Sequence, residues 1–249
     1  MTKMLASVTS VAEAELALAL GADIIDLKNP KDGALGALPL ATIRDIVRFV
    51  DHRRMTSATI GDVPEAPAEI IEKISATAAT GVDIVKIGIA TSRCTLTSWR
   101  GMAGNPYSAR LVAVLLVEDR FDLEWIDGLA ALGFYGVMLD TEDKRSGGLR
   151  SRCDEKFLTQ FLRRANARNL VCGLAGSLAV DDIASLLTLA PDYLGFRGAL
   201  CCDSERTAQL STERFRAVRA CIPIETQCAA INPMIASTSL QIVRDQMQK

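Results

Sequence analysis

The sequence predicts an α/β protein: a single (β/α)8 TIM barrel over residues 1–221, followed by a short C-terminal extension at 222–249. The 249 residues are close to the roughly 250 that are typical of one such barrel. Short apolar runs alternate with amphipathic stretches eight times along the chain. Continuously apolar runs that are separated by helices indicate a parallel sheet that is buried on both faces. Eight repeats favour a closed barrel over an open, doubly wound sheet.

The elements can be placed in order along the chain. Strands are predicted at 4–8, 22–28, 54–60, 83–89, 110–117, 134–140, 170–175 and 192–197. The clearest helices between them are predicted at 10–20, 65–79 and 154–168. Ser10 and Glu13 have the spacing of a capping box at the start of the first helix. The segment 91–105 has the least regular helical pattern, and a last helix is predicted at 236–247 in the extension.

Composition narrows the class of protein. The net charge of −2 and the pI of about 5.6 lack the basic character of a nucleic-acid binder. No stretch reaches the roughly 18 apolar residues of a membrane helix, and the N-terminal apolar run is too short for a signal peptide. With seven cysteines, no Cys-x-x-Cys pair and one histidine, a metal site is not expected. We therefore expect a cytoplasmic protein that binds neither nucleic acid nor membrane. A homo-oligomer is a separate expectation that the composition does not establish.

Alternation within the strands directs ionisable side chains into the barrel. Side chains in a strand point to opposite faces in turn, so Asp26 and Lys28 share one face, and Lys86 lies opposite the apolar face of its own strand. Charged residues are better accommodated at the C-terminal mouth of the barrel than against the helix layer, and this mouth is where barrel enzymes carry their chemistry. The ionisable residues predicted there are Asp26, Lys28, Lys86, Asp140, Lys144 and Arg197.

The choice of lysine at these interior positions points to catalysis. Only eight of the 28 basic residues are lysines, yet residues 28 and 86 are both lysine. A partly buried lysine with a cationic neighbour can become a neutral amine, which arginine cannot, and a neutral amine can add to a carbonyl. The alternative is structural, with the two lysines paired to Asp26 and Asp140 as interior salt bridges. Because buried ion pairs contribute little to stability, we favour the catalytic interpretation.

Two glycine-rich loops predict a phosphate site. Residues 173–177 follow the seventh strand and residues 195–199 belong to the end of the eighth. Many barrel enzymes hold phosphate between these two loops, where glycines let backbone N–H groups converge and a helix begins. The predicted phosphate-binding residues are Gly176, Ser177, Arg197 and Gly198. Glycines also mark ordinary turns, so each loop alone is a weak indication.

Several stretches together resemble the (5-formylfuran-3-yl)methyl phosphate synthase family. They are residues 22–36, 57–64, 83–88, 138–141 and 174–177, within a resemblance that spans roughly 4–220. The stretches Asp-x-Lys-Asn-Pro and Ser-Ala-Thr-x-Gly-Asp-x-Pro are the most specific. Residues 145–149 and the chain after 222 depart from the family pattern.

The resemblance implies a barrel enzyme that condenses two glyceraldehyde 3-phosphates into a furan, with loss of phosphate and water, in methanofuran-type cofactor biosynthesis. It implies that Lys28 forms a Schiff base and Lys86 transfers protons, with Asp26, Asp140 and Lys144 in support. No metal or organic cofactor is implied. Two alternatives remain open: an aldolase of the deoxyribose-phosphate type, and a non-catalytic barrel that binds a phosphorylated ligand.

Overall fold

A computed structural model of the protein describes residues 1–61, 67–89, 91, 95–97, 99, 107–119, 121–142 and 147–224. Within these residues the strands are β1 Lys3–Val8, β2 Ile24–Leu27, β3 Met55–Thr59, β4 Ile84–Ile89, β5 Arg110–Leu116, β6 Gly136–Asp140, β7 Val171–Leu174 and β8 Tyr193–Phe196. The helices are α1 Val11–Ala19, α2 Leu40–Val50, α3 Pro67–Ala78, α4 Glu124–Ala131, α5 Leu149–Arg152, α6 Glu155–Ala167, α7 Val180–Leu187 and α8 Thr212–Ala220.

The eight strands form a closed parallel barrel in sequence order, which confirms the predicted fold. Closure occurs because β1 pairs with both β2 and β8, so that Leu5 lies opposite Ile24 on one side and Gly195 on the other. All eight predicted strands are present, and the three helices that were placed individually are α1, α3 and α6. Most of the segment 91–105 and the predicted helix at 236–247 lie outside the described residues.

The helix starts follow the expected capping chemistry, with one change. The Ser10 side chain accepts a hydrogen bond from the Glu13 N–H, as in a capping box. The Glu13 carboxylate, however, accepts from the Thr9 N–H at 2.8 Å instead of closing the box on Ser10. Asp154 caps α6 by accepting from the Phe157 N–H at 2.7 Å.

Strand alternation divides the buried residues into two layers. Val85, Ile87 and Ile89 are fully buried in the outer layer, between strands and helices. Ile84 and Met138 belong instead to a smaller cluster inside the barrel. Each buried side chain of this size contributes roughly 1.5–3 kcal/mol to folding. This interior cluster leaves the ionisable residues of β2, β4 and β6 nearer the C-terminal ends of the strands, as the alternation predicts.

The helices are short and amphipathic in keeping with a layer that wraps a barrel. Among the described residues, none combines the length and apolarity that crossing a membrane requires.

Candidate active site

A cavity of about 380 Å³ opens at the C-terminal ends of the strands. This volume lies within the range of roughly 300–1,000 Å³ that is usual for small-molecule sites. Asp26, Lys28, Lys86 and Asp140 line it, as do the loops after β7 and β8. The cavity therefore brings together the predicted ionisable residues of β2, β4 and β6. Lys144 lies outside the described residues.

Asp26 is the centre of a fully buried polar network. Its carboxylate contacts the Lys86 Nζ at 2.5 Å and accepts hydrogen bonds from Ser7 Oγ at 2.8 Å and Ser57 Oγ at 2.6 Å. Burial alone would raise the pKa of Asp26, but the charges of Lys86 and Lys28 and the hydrogen bonds from Lys86 and Ser57 lower it below its ordinary value. Asp26 is therefore a fixed negative charge that orients Lys86, and it is a poor proton acceptor.

Lys28 stands beside Asp140 at the mouth. Its Nζ is 3.9 Å from Asp140 Oδ2, and the side chains are 10% and 4% exposed. This separation exceeds hydrogen-bond length, so the contact is an attraction between charges. Asp140 Oδ1 also accepts the N–H of Thr141 at 2.7 Å, which fixes the carboxylate.

Both lysines thus have the aspartate neighbours of the structural alternative. The two contacts nevertheless differ in length, because Lys86 Nζ lies 2.5 Å from the fully buried Asp26 carboxylate whereas Lys28 Nζ lies 3.9 Å from Asp140. This arrangement places two amines and two carboxylates in one cavity.

The loop after β7 has the backbone shape of an anion site. Gly176 has a φ of +112°, and a Cβ at this position would lie 2.9 Å from the side chain of Thr141, so glycine is required. No acceptor for the N–H groups of Gly176 and Ser177 is found among the described residues. The helix α7 begins shortly afterwards at Val180, and Gly198 lines the same cavity from the loop after β8. Such converging N–H groups and a helix start favour a bound phosphate.

Arg197 lines the cavity, but its guanidinium is engaged by the protein. It donates to the Glu13 carboxylate at 2.6 and 3.1 Å, and to the carbonyls of Ser7, Arg206 and Ala208 at 3.1, 2.8 and 2.8 Å. These bonds use all five N–H donors of an arginine. The side chain therefore fixes the loop after β8 against β1 and α1, and only its backbone remains for a ligand.

Sequence reasoning missed four side chains of this site. Ser7 and Ser57 are held on Asp26, and the alternation that identified Asp26 also places them inside the barrel. Arg206 and Arg214 line the cavity from the chain that follows β8. No regular pattern marks these arginines, because they belong to an irregular loop and to the first turn of α8.

The chain is similar in sequence to a group of named synthases. A family model described as 4-HFC-P synthase matches residues 4–219. A Methylorubrum extorquens protein named for (5-formylfuran-3-yl)methyl phosphate synthase activity is 42% identical over 212 residues, which cover 85% of this chain and 88% of that protein. The (5-formylfuran-3-yl)methyl phosphate synthase of Methanococcus maripaludis is 30% identical over 215 residues, which cover 82% of this chain and 91% of the relative.

A solved barrel enzyme has a similar fold to this chain. Phosphoribosyl anthranilate isomerase from Thermus thermophilus aligns with a TM-score of 0.64 and 17% identity, over 89% of this chain and 98% of that chain. A likeness at this identity shows the fold alone. The family match spans nearly the whole described barrel and the named relatives agree with it, so this chain belongs to the 4-HFC-P synthase family.

Proposed function

We propose that the protein is a (5-formylfuran-3-yl)methyl phosphate synthase that condenses two glyceraldehyde 3-phosphates through a Schiff base on Lys28. The observation that carries the proposal is the pair of buried lysines with two aspartates at the barrel mouth, beside a glycine loop shaped for an anion. The relatives named for this activity support the choice of reaction.

The first steps need one nucleophile and one proton carrier. Lys28, which is charged at rest beside Asp140, first gives its ammonium proton to solvent. The neutral amine then adds to the carbonyl carbon of the first triose phosphate and forms a C–N bond, while an amine proton moves to the carbonyl oxygen and makes it a hydroxyl. The ammonium of Lys86 gives a proton to the departing hydroxyl, which leaves as water, and the imine is then a cation. The Lys86 amine produced in this way removes the proton next to the imine carbon, giving an enamine and restoring the ammonium. Lys86 therefore ends these steps as it began, still beside Asp26.

The remaining steps build and release the furan. The enamine carbon forms a C–C bond to the aldehyde carbon of a second triose phosphate. Elimination of one phosphate, ring closure and loss of two waters then form the furan, and hydrolysis of the C–N bond by one water returns Lys28 as the amine. Asp26 and Asp140 stabilise the cationic imine, since both carboxylates are fixed by hydrogen bonds near the lysines. Lys144 is a further candidate for proton transfer, on the family resemblance alone.

The phosphate of the first substrate is assigned to the loops at Gly176, Ser177 and Gly198. Backbone N–H groups are the donors, and Arg197 contributes by holding the loop after β8 in place. No step in this scheme calls for a metal or an organic cofactor.

Borohydride trapping tests the proposal directly. The protein is incubated with glyceraldehyde 3-phosphate, reduced, digested and examined by peptide mass mapping. A mass increment on the peptide containing Lys28 is expected, and Lys28→Arg should abolish it because a guanidinium is no amine nucleophile. An increment on another lysine, or none, contradicts the assignment.

Phosphate release separates the synthase from the two alternatives. A synthase given only glyceraldehyde 3-phosphate produces inorganic phosphate together with an ultraviolet-absorbing furan aldehyde. An aldolase would be trapped at Lys28 but would keep both phosphates in its product. A non-catalytic barrel would bind the sugar phosphate without trapping or turnover.

A further inference from the structure

Among the described residues, five basic side chains line the cavity, and three of them have carboxylate partners. Lys86 pairs with Asp26, Lys28 lies near Asp140, and Arg197 is clamped by Glu13. The other two are Arg206 and Arg214. Within the described residues neither of these two arginines has a carboxylate oxygen within 4.0 Å. Glu205 also lines the cavity, but its carboxylate does not lie within 4.0 Å of either guanidinium. Among the described residues, the cavity therefore contains two guanidinium groups that no carboxylate pairs with.

Arg206 reaches across the entrance of the cavity. Its carbonyl accepts from the Nε of Arg197, and its Nη2 donates to the carbonyl of Gly33, in the loop after β2, at 2.6 Å. In the described part of the chain, no acceptor is found for its Nε and Nη1 groups. Burial, and to a lesser extent the charge of Arg197, lowers the pKa of Arg206, whereas Asp140 opposes this shift. The guanidinium is thus partly desolvated, close enough to Asp140 to feel its charge, and only partly used.

Arg214 supports the same side of the cavity from the first turn of α8. Its Nη2 donates to the Ser204 hydroxyl, while its Nε is buried and has no acceptor in the described structure. A buried donor without an acceptor destabilises the folded protein, and a bound ligand that accepts from it removes that cost. Guanidinium groups with spare donors that line one cavity are a common means of binding a phosphate ester.

The proposed reaction requires a binding site for a second phosphate, and Arg206 and Arg214 can provide it. Two phosphate esters must occupy the cavity together, and the glycine loop after β7 offers neutral donors for one of them. A second dianion that leaves water without a counter-charge pays a large desolvation penalty. We propose that Arg206, assisted by Arg214, binds the phosphate of the second triose phosphate, the aldehyde that the enamine attacks. This inference rests on the proposed function.

A purely structural role for Arg206 predicts a different set of reactions that would slow when the residue is replaced. If the residue only latches the loop after β2 through Gly33, its loss would disturb every reaction in the cavity alike. If it binds the second phosphate, its loss would affect only those steps in which the second aldehyde carries a phosphate. The second aldehyde is therefore the variable to change.

The experiment compares R206Q and R214Q with R216Q, whose arginine is exposed on α8 and does not line the cavity. Three quantities are measured. They are borohydride trapping as a function of glyceraldehyde 3-phosphate concentration, furan formation at low substrate, and the addition of radiolabelled glyceraldehyde, which lacks phosphate, to the enamine that glyceraldehyde 3-phosphate forms on the unreduced enzyme. For R206Q we expect trapping within twofold of wild type and furan formation lower by about 10- to 100-fold, from the loss of a charged hydrogen bond. Glyceraldehyde addition should match wild type. R214Q should show the same pattern with a smaller loss, and R216Q should match wild type throughout.

Several results would overturn the subsite. Equal weakening of trapping and furan formation in R206Q would mean that Arg206 either binds the first phosphate or only holds the loop after β2, and both results overturn the subsite. Normal trapping with an equal loss for glyceraldehyde would show that the arginine does not act through the second phosphate. Normal furan formation would show that it has no role in binding. In each of these cases the wild type still traps and condenses, so the proposed function survives. Absence of trapping in the wild type would instead refute the proposed function and this subsite with it.

Discussion

Replacing Lys86 by methionine tests whether the buried pair of Lys86 and Asp26 has the energetics that its geometry implies. The variant keeps the volume of the side chain but leaves the Asp26 carboxylate buried with Ser7, Ser57 and the charge of Lys28. Removing one partner of a buried ion pair typically costs about 3–5 kcal/mol. Asp26 can limit this cost by taking up a proton in the folded state.

Proton uptake sets an upper bound on the cost of leaving the Asp26 carboxylate buried without Lys86. Protonating a carboxyl whose ordinary pKa is 3.8 costs about 1.4 kcal/mol per pH unit above that value. The cost of the unpaired carboxylate is therefore at most about 4.4 kcal/mol at pH 7 and about 1.6 kcal/mol at pH 5. In the wild type the pKa of Asp26 is lowered, so its stabilisation is complete above about pH 3.8 and is lost as the pH falls through the folded value. Both effects make the difference between wild type and variant shrink in acid.

Urea denaturation between pH 5 and pH 8 measures this difference. We expect Lys86→Met to lose about 3 kcal/mol at pH 7, and the double variant with Asp26→Asn to recover most of the loss because no charge remains buried. Lys156→Met, an exposed lysine on α6, is the control and should stay within about 0.5 kcal/mol of wild type. A deficit under about 1 kcal/mol at pH 7, or one that is constant with pH, would refute this reasoning.

The same variant reports on catalysis. Lys86→Met should abolish furan formation and solvent-deuterium incorporation next to the carbonyl, yet still permit some imine trapping on Lys28. Deuterium exchange at the wild-type rate would move the proton transfer to another residue.

Three further variants test other parts of the site. Lys28→Arg should lose turnover by orders of magnitude and show no borohydride label, and measurable turnover would argue against Lys28 as the nucleophile. Gly176→Ala should raise KM about tenfold and lower the free energy of unfolding in urea by about 1–3 kcal/mol. The reason is that φ is +112° and the added Cβ would lie 3.0 Å from the Thr141 backbone nitrogen. An unchanged KM would argue against phosphate binding at this loop. Glu13→Gln should destabilise the fold by about 3 kcal/mol and raise KM, because it weakens the bidentate ion pair with Arg197, whose hydrogen bonds are 2.6 and 3.1 Å long. Wild-type stability and KM would show that this ion pair does not hold the loop after β8.

The placement of the reactive residues could be predicted from local pattern. Alternation with period two is a property of the extended backbone itself, so it identified the inward face of β2, β4 and β6 without knowledge of the rest of the chain. The same rule applied to β1 and β3 would have found Ser7 and Ser57. These serines were missed because a hydroxyl in a strand carries less weight than a charge.

The helices were predictable where their ends carry capping residues. Ser10 and Asp154 stand at the starts of α1 and α6, and their side chains bond to N–H groups only three residues away. Such contacts are local, so they can be read directly from the order of residues.

By itself the sequence determined the number and order of strands, the class of fold and which residues face the interior, because each depends on neighbours within a few positions. Only the tertiary structure decided the partners of those residues. Closure of β8 on β1 brings Arg197 onto Glu13, 184 residues away, and commits a guanidinium that would otherwise suit phosphate. The same closure carries Arg206 to Gly33 across the mouth, at a separation of 173 residues. Ion pairing depends on distances through space, and those distances exist only once the barrel has closed.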